Sequence, residues 1–198
     1  MQNYLDIAKT IYPQNNNYHS YKHVQDLLRW FDIHKEAFHA EGMSCTDHQM
    51  AIAIVYHDAV YIPGSTTNEY DSVKFMNRCG INDPTIESLI MSTVVDQHHM
   101  DNWKNYSINQ KIMHDLDWFG FTLTTGIHSQ TMSIISEVEY YCRNKYSREE
   151  LLKNRMKFLE SLFDKDLYFT KTLSDYNSLA KENVKKHYDL CKILLGDI

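Results

Sequence analysis

The chain has 198 residues, of which 43% are hydrophobic, and this length and apolar content suit one domain with a core of its own. Six glycines and three prolines are too few for the closely spaced turns of a β protein. The formal net charge is −6 and no long basic run occurs, which argues against a surface built to bind duplex nucleic acid.

The first predicted helices lead to a histidine at the edge of the core. A short helix is expected over 4–12, and a longer one opens near Tyr18 and continues to about Ala40. Its apolar face repeats at the spacing i, i+3, i+4, i+7 of an amphipathic helix: Val24, Leu27, Leu28 and Phe31. His23 lies on the edge of that face, where either a metal ligand or a hydrogen-bonded core histidine fits.

The segment AIAIVYHDAVY, residues 51–61, predicts a central helix that is buried on most of its faces. It carries His57 and Asp58 side by side, and a carboxylate in such surroundings is costly unless it is paired or binds a metal. Neighbouring side chains on a helix point about 100° apart, so both can still reach one ion between them. A core histidine beside a capping or paired aspartate is the alternative.

A break at 62–65 separates this segment from a predicted helix over 68–78, capped by Thr66 or Thr67. Asn68 and Glu69 open that helix directly after the His-Asp pair, and we expect them near the same site. A solvated first turn, with acids placed favourably for the helix dipole, is the alternative.

A helix over 85–95 is followed by a cluster of histidines and aspartates. His98 and His99 lie between Asp96 and Asp101, where they would either supply ligands for a second metal or lie solvated at a helix end.

Geometry distinguishes two aspartates of the next predicted helix, 108–118, which Ser107 can cap. Its apolar stripe is formed by Ile112, Leu116 and Phe119. At about 100° per residue, Asp115 falls about 40° outside one edge of that stripe and Asp117 about 100° beyond the other. Asp115 is therefore predicted as an inward ligand, and Asp117 as a residue that caps, pairs with or orients a neighbour. We expect the neighbouring His114 at the surface.

The remaining chain predicts three more helices. They cover 125–146, a segment that begins at the capping-box sequence 147–150, and 174–195, with a connector at 165–170. The expected inner positions of the first are Met132, Ile135, Val138 and Tyr141. Arg155 lies on the second, where it would meet a substrate anion or form a salt bridge. We find no convincing strand, so the predicted fold class is all-α.

Four cysteines are far apart in the sequence and form no CxxC pair: Cys45, Cys79, Cys142 and Cys191. This distribution is typical of free thiols in a reducing compartment. No apolar run reaches membrane-spanning length, and no basic segment followed by an apolar core opens the chain. We therefore expect a cytoplasmic protein.

Taken together, the pattern H…HD…D resembles the HD superfamily of metal-dependent phosphohydrolases, and in particular its predicted metal-dependent HD phosphohydrolase branch. The resemblance spans roughly Tyr18 to Asn183. It rests on ordered landmarks: Tyr18-His19…His23-Val24, Ala53…His57-Asp58-Ala59-Val60-Tyr61, Asn68-Glu69…Ser72, Leu89-Ile90…Thr93, Asp115-Leu116-Asp117, Glu139-Tyr140 and Asn154-Arg155. The sequence departs from the branch at Asp96, where a histidine is usual, and at Glu137, where an arginine is usual.

The resemblance implies a single HD-type domain over 1–198, with its core at 18–183, built as a helical bundle around one divalent metal ion. The implied ligands are His23, His57, Asp58 and Asp115. Oxygen and nitrogen ligands of this kind favour Mn, Mg, Fe, Co or Ni over a closed structural zinc site.

Further residues are our candidates for roles around this metal. Asp58 and Glu69 are the predicted catalytic carboxylates, with Glu69 orienting water or handling a proton. The predicted substrate-binding residues are Lys22, Asn68, Arg155 and Tyr18. Aromatic side chains that would either stack on a base or pack in the core are Tyr18, Tyr21, Tyr61 and Trp118.

The expected function is hydrolysis of a phosphoester bond, in a small phosphorylated substrate such as a nucleotide, by metal-activated water. A non-catalytic module that senses a nucleotide or metal would use the same ligands. A di-iron oxygenase of the HD type would need further histidine ligands, for which only His98 and His99 are available. No membrane partner is expected, and a homo-oligomer is compatible with the sequence.

Overall fold

The computed structural model describes residues 1–12, 17–95, 102–123, 126–142 and 144–196 of the chain. These residues form ten α-helices and two short 3-10 helices, and they contain no strand, which confirms the all-α class. The α-helices are α1 (Gln2–Ile11), α2 (Tyr21–Ala40), α3 (Asp47–Tyr56), α4 (Asn68–Arg78), α5 (Pro84–Met91), α6 (Ile108–Asp117), α7 (Ile127–Cys142), α8 (Arg148–Glu160), α9 (Lys171–Ser174) and α10 (Asn177–Leu195). The 3-10 helices cover Trp103–Asn105 and Trp118–Thr122.

Helix α3 lies at the centre of the N-terminal part of the fold. Thr46 and Gln49 form a capping box at its start, which satisfies two backbone donors reciprocally. Every residue from Met50 to Tyr56 is buried, and α1, α2, α4, α5 and α6 all pack against the helix. Burial on all faces, as the sequence predicted, makes α3 the element that positions its neighbours.

The central helix is shorter than predicted, because α3 ends at Tyr56 and not near Tyr61. The chain turns after His57, and Ala59 N–H donates to the Tyr56 carbonyl at 3.1 Å. Side chains of α4 then supply the hydrogen bonds that the backbone of a longer α3 would have made. Ser72 Oγ accepts from Val60 N–H and donates to the Val60 carbonyl, so the segment that leaves α3 is held by α4. His57 and Asp58 therefore sit at the C-terminal end of α3, where side chains can point into a cavity.

The C-terminal helices form a second group. Helix α10 packs against α7, α8 and the 3-10 helix at Trp118–Thr122, which directly follows α6. This 3-10 helix joins the two groups, because it continues the helix that carries Asp115 and Asp117. The boundary between the groups is where the cavity described below opens.

Several predicted boundaries need correction. Helix α5 ends at Met91, not at 95; α7 covers Ile127–Cys142, not 125–146; and the closing helix begins at Asn177, after the separate turn α9. Ser92 and Thr93 hydroxyls bond back to the carbonyls of Leu89 and Ile90 at the end of α5, which competes with further helix.

Two predictions about facing were wrong. His114 is fully buried, although it was expected at the surface, and Tyr141 is 42% exposed, although it was expected to face inward. Met113 and Leu116 are buried beside His114, so α6 is enclosed on more faces than its stripe indicates. Helix α7 buries Ile135, as predicted, together with Thr131, Glu137 and Cys142.

No helix within the described ranges is long and apolar enough to cross a membrane. The four cysteines are free thiols, three of them buried and Cys79 exposed. His98 and His99, with Asp96 and Asp101, lie outside the described residues.

Candidate metal centre and its cavity

The imidazole of His57 is fixed by the backbone of its own helix. Its Nδ1–H donates to the Ile54 carbonyl at 2.9 Å, and the residue is 1% exposed. Because Nδ1 is the donor, Nε2 is the nitrogen that faces the neighbouring carboxylates. A histidine held in this way by a backbone carbonyl has the tautomer and orientation of a metal ligand.

Four side chains from three helices converge around that nitrogen. His57 Nε2 lies 2.9 Å from Asp58 Oδ2 and 3.2 Å from Asp117 Oδ1. His23 Nε2, from α2, lies 3.2 Å from the same Asp117 oxygen and 3.9 Å from Asp58 Oδ2. One ligand atom from each of His23, His57, Asp58 and Asp117 falls within 4.8 Å of all the others, so this group could hold a metal ion.

The arrangement suits an ion better than it suits a closed hydrogen-bond network. His57 Nε2 is close to two carboxylate oxygens, yet it is buried and makes no aligned hydrogen bond to either of them. An ion with bonds of about 2.1 Å places neighbouring ligand atoms about 3 Å apart and opposite ones about 4 Å apart. The four distances above fall in that range.

The electrostatics of the group also match a cation. Burial alone would raise the pKa of Asp117, but the imidazoles of His23 and His57 lower it far below its ordinary value. Burial likewise opposes ionisation of His57, yet Asp58 and Asp117 raise the pKa of its imidazole well above 6.5. Two ionised carboxylates thus hold positive charge at this point, and two carboxylates balance the charge of a divalent ion.

Asp115, the predicted fourth ligand, is not part of this group. It is fully buried, but its carboxylate accepts hydrogen bonds from Phe169 N–H, Thr170 N–H and the Thr170 hydroxyl at 2.8 to 3.0 Å. Burial raises the pKa of Asp115 to about 7. The residue therefore ties α6 to the segment before α9, and Asp117 takes the place beside the histidines.

The sequence argument failed at this point for a geometric reason. It compared the angular position of each aspartate around the helix axis with the apolar stripe of α6, and Asp115 does point inward. Asp117 is the last residue of α6, immediately before the 3-10 helix, and that helix end is directed at His23 and His57. The apolar stripe of a helix indicates which of its faces is buried. It does not indicate where the end of that helix lies relative to another helix.

Asp58 and Asp117 form part of the wall of a cavity of about 390 Å³. Residues predicted to serve a substrate also line it: Glu69, Asn68, Arg155 and Tyr18. Within the described residues, no carboxylate forms an ion pair with Arg155. Burial lowers the pKa of its guanidinium, and the groups that counter this are Tyr18, Cys191 and Tyr61. Arg155 is thus a partly buried cation that faces a cavity.

Glu69 occupies the first turn of α4 on the cavity wall. Burial raises the pKa of its carboxyl, and the negative charges of Asp58 and Asp117 raise it further. A carboxyl with a raised pKa beside two ionised ones is suited to exchange a proton with water or substrate.

Two of the predicted substrate-binding side chains have other contacts. The Asn68 amide is committed to the backbone, since it accepts from Ile62 N–H at 3.0 Å and donates to the Ile62 carbonyl at 3.1 Å. The Lys22 ammonium lies beside Asp26, its side chain is 69% exposed, and it lines a second depression of about 270 Å³. His23 lines that depression too, but Lys22 does not line the cavity that holds Asp58, Asp117 and Arg155.

The aromatic side chains that face the cavity differ in part from those predicted. Tyr18, Tyr61 and Trp118 line it, whereas Tyr21 packs against the apolar core. Phe121 and Phe158, which the sequence argument did not select, also line the cavity. Tyr18 stacks on the ring of His23 with centroids 5.4 Å apart, so it supports the ligand as well as the wall.

A histidine–glutamate pair at the same wall was missed at the sequence level. His19 Nδ1 lies 2.5 Å from Glu137 Oε1, and Glu137 Oε2 accepts from the N–H groups of Tyr18 and His19 at 2.8 and 3.0 Å. The His19 ring stacks on Tyr61 with centroids 3.5 Å apart and lines the cavity. Glu137 is 2% exposed, so a buried carboxylate orients this imidazole. The signal in the sequence was His19 itself, four residues before His23 and just ahead of α2.

No protein-family model, curated protein or solved structure shows a significant match to this chain. The site is therefore interpreted from its own geometry.

Proposed function

We propose that this protein is a metal-dependent phosphohydrolase of the HD superfamily, which cleaves a phosphoester bond in a small substrate such as a nucleotide. The observation that carries the proposal is the group of His23, His57, Asp58 and Asp117, whose two aspartates line a cavity that Arg155 also lines. A cation site and an unpaired arginine in one cavity are complementary to a phosphate.

The four residues of the group would hold one divalent ion and leave positions open for water and a phosphate oxygen. A bound ion of this kind supplies a water of lowered pKa and polarises the phosphoryl group. His57 and Asp58 are positioned by the end of α3, His23 by α2 and Asp117 by the end of α6. The choice among Mn, Mg, Fe, Co and Ni depends on availability as well as on these ligands.

Arg155 would bind the anionic part of the substrate. Its guanidinium has no carboxylate partner among the described residues, and it lies against the ring of Phe158 at 5.1 Å from the centroid. A planar guanidinium in partly apolar surroundings binds phosphate oxygens in a fixed orientation.

Proton transfer would be divided between two groups of the wall. The raised pKa of Glu69 suits it to accept a proton from the attacking water, and His19 is oriented by Glu137 to donate a proton to the leaving oxygen. The two groups come from different elements, α4 and the segment before α2, as an acid and a base on either side of a phosphorus centre require.

Metal content and phosphate release test the proposal together. Wild type, Asp117→Asn and Asp115→Asn are purified and analysed for metals, then screened against nucleotides and generic phosphoesters with added Mn, Co, Ni or Mg. We expect about one ion per chain and metal-dependent phosphate release in wild type and in Asp115→Asn. We expect neither in Asp117→Asn, because Asp117 lies beside the histidines and Asp115 does not.

The same experiment separates the other functions. Metal and nucleotide binding with no phosphate release would indicate a sensing module. Two irons per chain with oxygen uptake would indicate an oxygenase. Loss of metal in Asp115→Asn but not in Asp117→Asn would contradict the ligand set proposed here.

A further inference from the structure

A second histidine faces the same cavity from the C-terminal group of helices. His187 lies on α10, is 1% exposed and lines the cavity together with Arg155, Phe121 and Phe158. The cation group comes from α2, α3 and α6, whereas this wall is built by α8, α10 and the 3-10 helix at Trp118–Thr122. We call the four residues His187, Arg155, Phe121 and Phe158 the α10 wall.

A neighbouring hydroxyl favours one tautomer of His187. The Thr131 hydroxyl donates its only hydrogen to the Ile127 carbonyl at 2.9 Å. Thr131 Oγ1 also contacts His187 Nδ1, and there it can only accept. Nδ1 therefore bears the hydrogen, and Nε2 carries a lone pair.

That lone pair is buried and has no hydrogen-bond partner among the described residues. Burial and the positive charge of Arg155 lower the pKa of His187 to about 4, so the ring is neutral near pH 7. A buried acceptor without a donor costs free energy that a bound donor would recover. The α10 wall thus contains one buried acceptor without a donor, on a residue that lines the cavity.

The rest of the wall indicates the shape of that ligand. The rings of Phe121 and His187 pack edge to face, with centroids 5.7 Å apart. The guanidinium of Arg155 lies over the ring of Phe158. Aromatic faces favour a planar ring, and the acceptor selects a ring that bears an N–H donor.

We propose that His187, Phe121 and Phe158 of the α10 wall bind the nucleobase of the substrate while Arg155 binds its phosphate, and that His187 Nε2 accepts a hydrogen bond from an amino group on that base. This inference rests on the proposed nucleotide substrate and specifies the class of base. Bases with an exocyclic amino group, such as adenine and cytosine, are bound more tightly than analogues in which hydrogen replaces that group.

Paired ligands test the inference without turnover. Chelator-treated protein is titrated calorimetrically with adenosine 5′-monophosphate and purine riboside 5′-monophosphate, and then with the cytidine and 2-pyrimidinone riboside counterparts. Each pair differs only in the amino group. We expect wild type to prefer the amino member of at least one pair by about tenfold, the equivalent of one hydrogen bond.

Two substitutions assign the preference to one nitrogen. His187→Phe keeps a ring but loses the acceptor, and we expect the preference to fall to about one. His34→Phe is the matched control, because His34 Nε2 is also unpartnered, and its ring packs among Trp30, Phe38 and Phe119 away from the cavity. The control should keep the tenfold preference.

A nitrogen NMR spectrum of wild type gives a readout that does not depend on the variants folding. The Nε2 resonance of His187 should shift when the preferred amino nucleotide is added and stay in place with its des-amino partner. Equal affinities within both pairs, no binding of any of the four nucleotides, or an unchanged preference in His187→Phe would overturn the inference.

The result is separable from the fate of the proposed activity. A preference for amino bases without phosphate release would preserve the α10 wall and remove the hydrolase. Metal-dependent phosphate release with equal affinities within both pairs would do the reverse.

Discussion

At the scale of single residues, two aspartates only two positions apart have different roles. Asp117 contacts His23 and His57, whereas Asp115 accepts three hydrogen bonds from the backbone and hydroxyl of residues 169–170. Both are charged or polar groups taken out of water, and each is tolerated because it has partners of the opposite character. Asp117 belongs to the candidate metal centre, whereas Asp115 stabilises the fold.

Asp115→Asn should therefore lower stability. An asparagine offers one acceptor oxygen and places an NH₂ group against donors, so we expect a loss of about 2 kcal/mol in the free energy of unfolding. Urea unfolding of metal-free protein measures it. Asp26→Asn, at a half-exposed surface ion pair with Lys22, is the control and should change the value by less than about 0.5 kcal/mol. Equal effects of the two substitutions would contradict the structural role of Asp115.

His114 should make stability depend on pH. Its Nε2–H donates to the Leu167 carbonyl at 3.2 Å, and its ring packs among Trp103, Trp118 and Phe169. Burial lowers its pKa from 6.5 to about 4. The unfolded chain therefore binds this proton more readily, and stability falls as the pH drops from about 6.5 to about 4, by up to about 3 kcal/mol.

The measurement compares wild type with His114→Gln by urea unfolding at pH 7 and at pH 5. Glutamine keeps an N–H donor for Leu167 but does not titrate, so the loss on acidification should be smaller in the variant. A parallel loss in both proteins would show that His114 stays neutral in the unfolded chain or charged in the folded one, against this expectation.

At the scale of elements, α4 controls the segment that follows the His-Asp pair. Ser72 holds both backbone groups of Val60, and Asn68 holds both backbone groups of Ile62. The two side chains replace the hydrogen bonds that a longer α3 would have made. They fix where the chain runs after Asp58, and hence where that carboxylate points.

Asn68→Ala should weaken metal binding although Asn68 is not in the ligand group. Loss of the amide leaves Ile62 N–H and its carbonyl without their partners, and support of this kind is worth about tenfold in metal affinity. Asn77→Ala on the same helix is the control, because the Asn77 amide reaches Glu87 and not the cavity. Calorimetric titration with Mn²⁺ compares the two. Unchanged affinity in Asn68→Ala would show that the position of Asp58 does not depend on this contact.

At the scale of the whole molecule, the candidate metal centre lies where three helices of the N-terminal group meet, and the C-terminal group encloses the cavity from the other side. His23 comes from α2, His57 and Asp58 from the end of α3, and Asp117 from the end of α6. One bound ion would therefore link three helices, although their ligands are spread over positions 23 to 117 of the sequence.

A bound ion should stabilise the entire fold. Binding to the folded state alone adds about 2.7 kcal/mol at a metal concentration one hundred times Kd. We expect Tm to rise with added Mn²⁺ in wild type and in Asp115→Asn, and to be insensitive in Asp117→Asn. Calorimetric scans with and without chelator measure the shift. A rise in Asp117→Asn equal to that in wild type would place the ion elsewhere.

Much of the architecture followed from local patterns. Apolar spacing predicted the helices and the all-α class, and the caps at Ser107 and Ser147 are observed where the sequence placed them. His23 was expected to face the core, and it does so beside His57. These features depend on the nearest few residues, which is why they can be read from the chain.

What only the tertiary structure decided depends on residues far apart in the sequence. Asp117 replaced Asp115 because the end of α6 is directed at two other helices, and Glu137 reached His19 across 118 positions. The acceptor of His187 was set by Thr131 on another helix. A sequence pattern fixes the direction of a side chain around its own helix axis, whereas a ligand group or a cavity wall depends on how separate axes are placed, and the packing of the whole chain decides that.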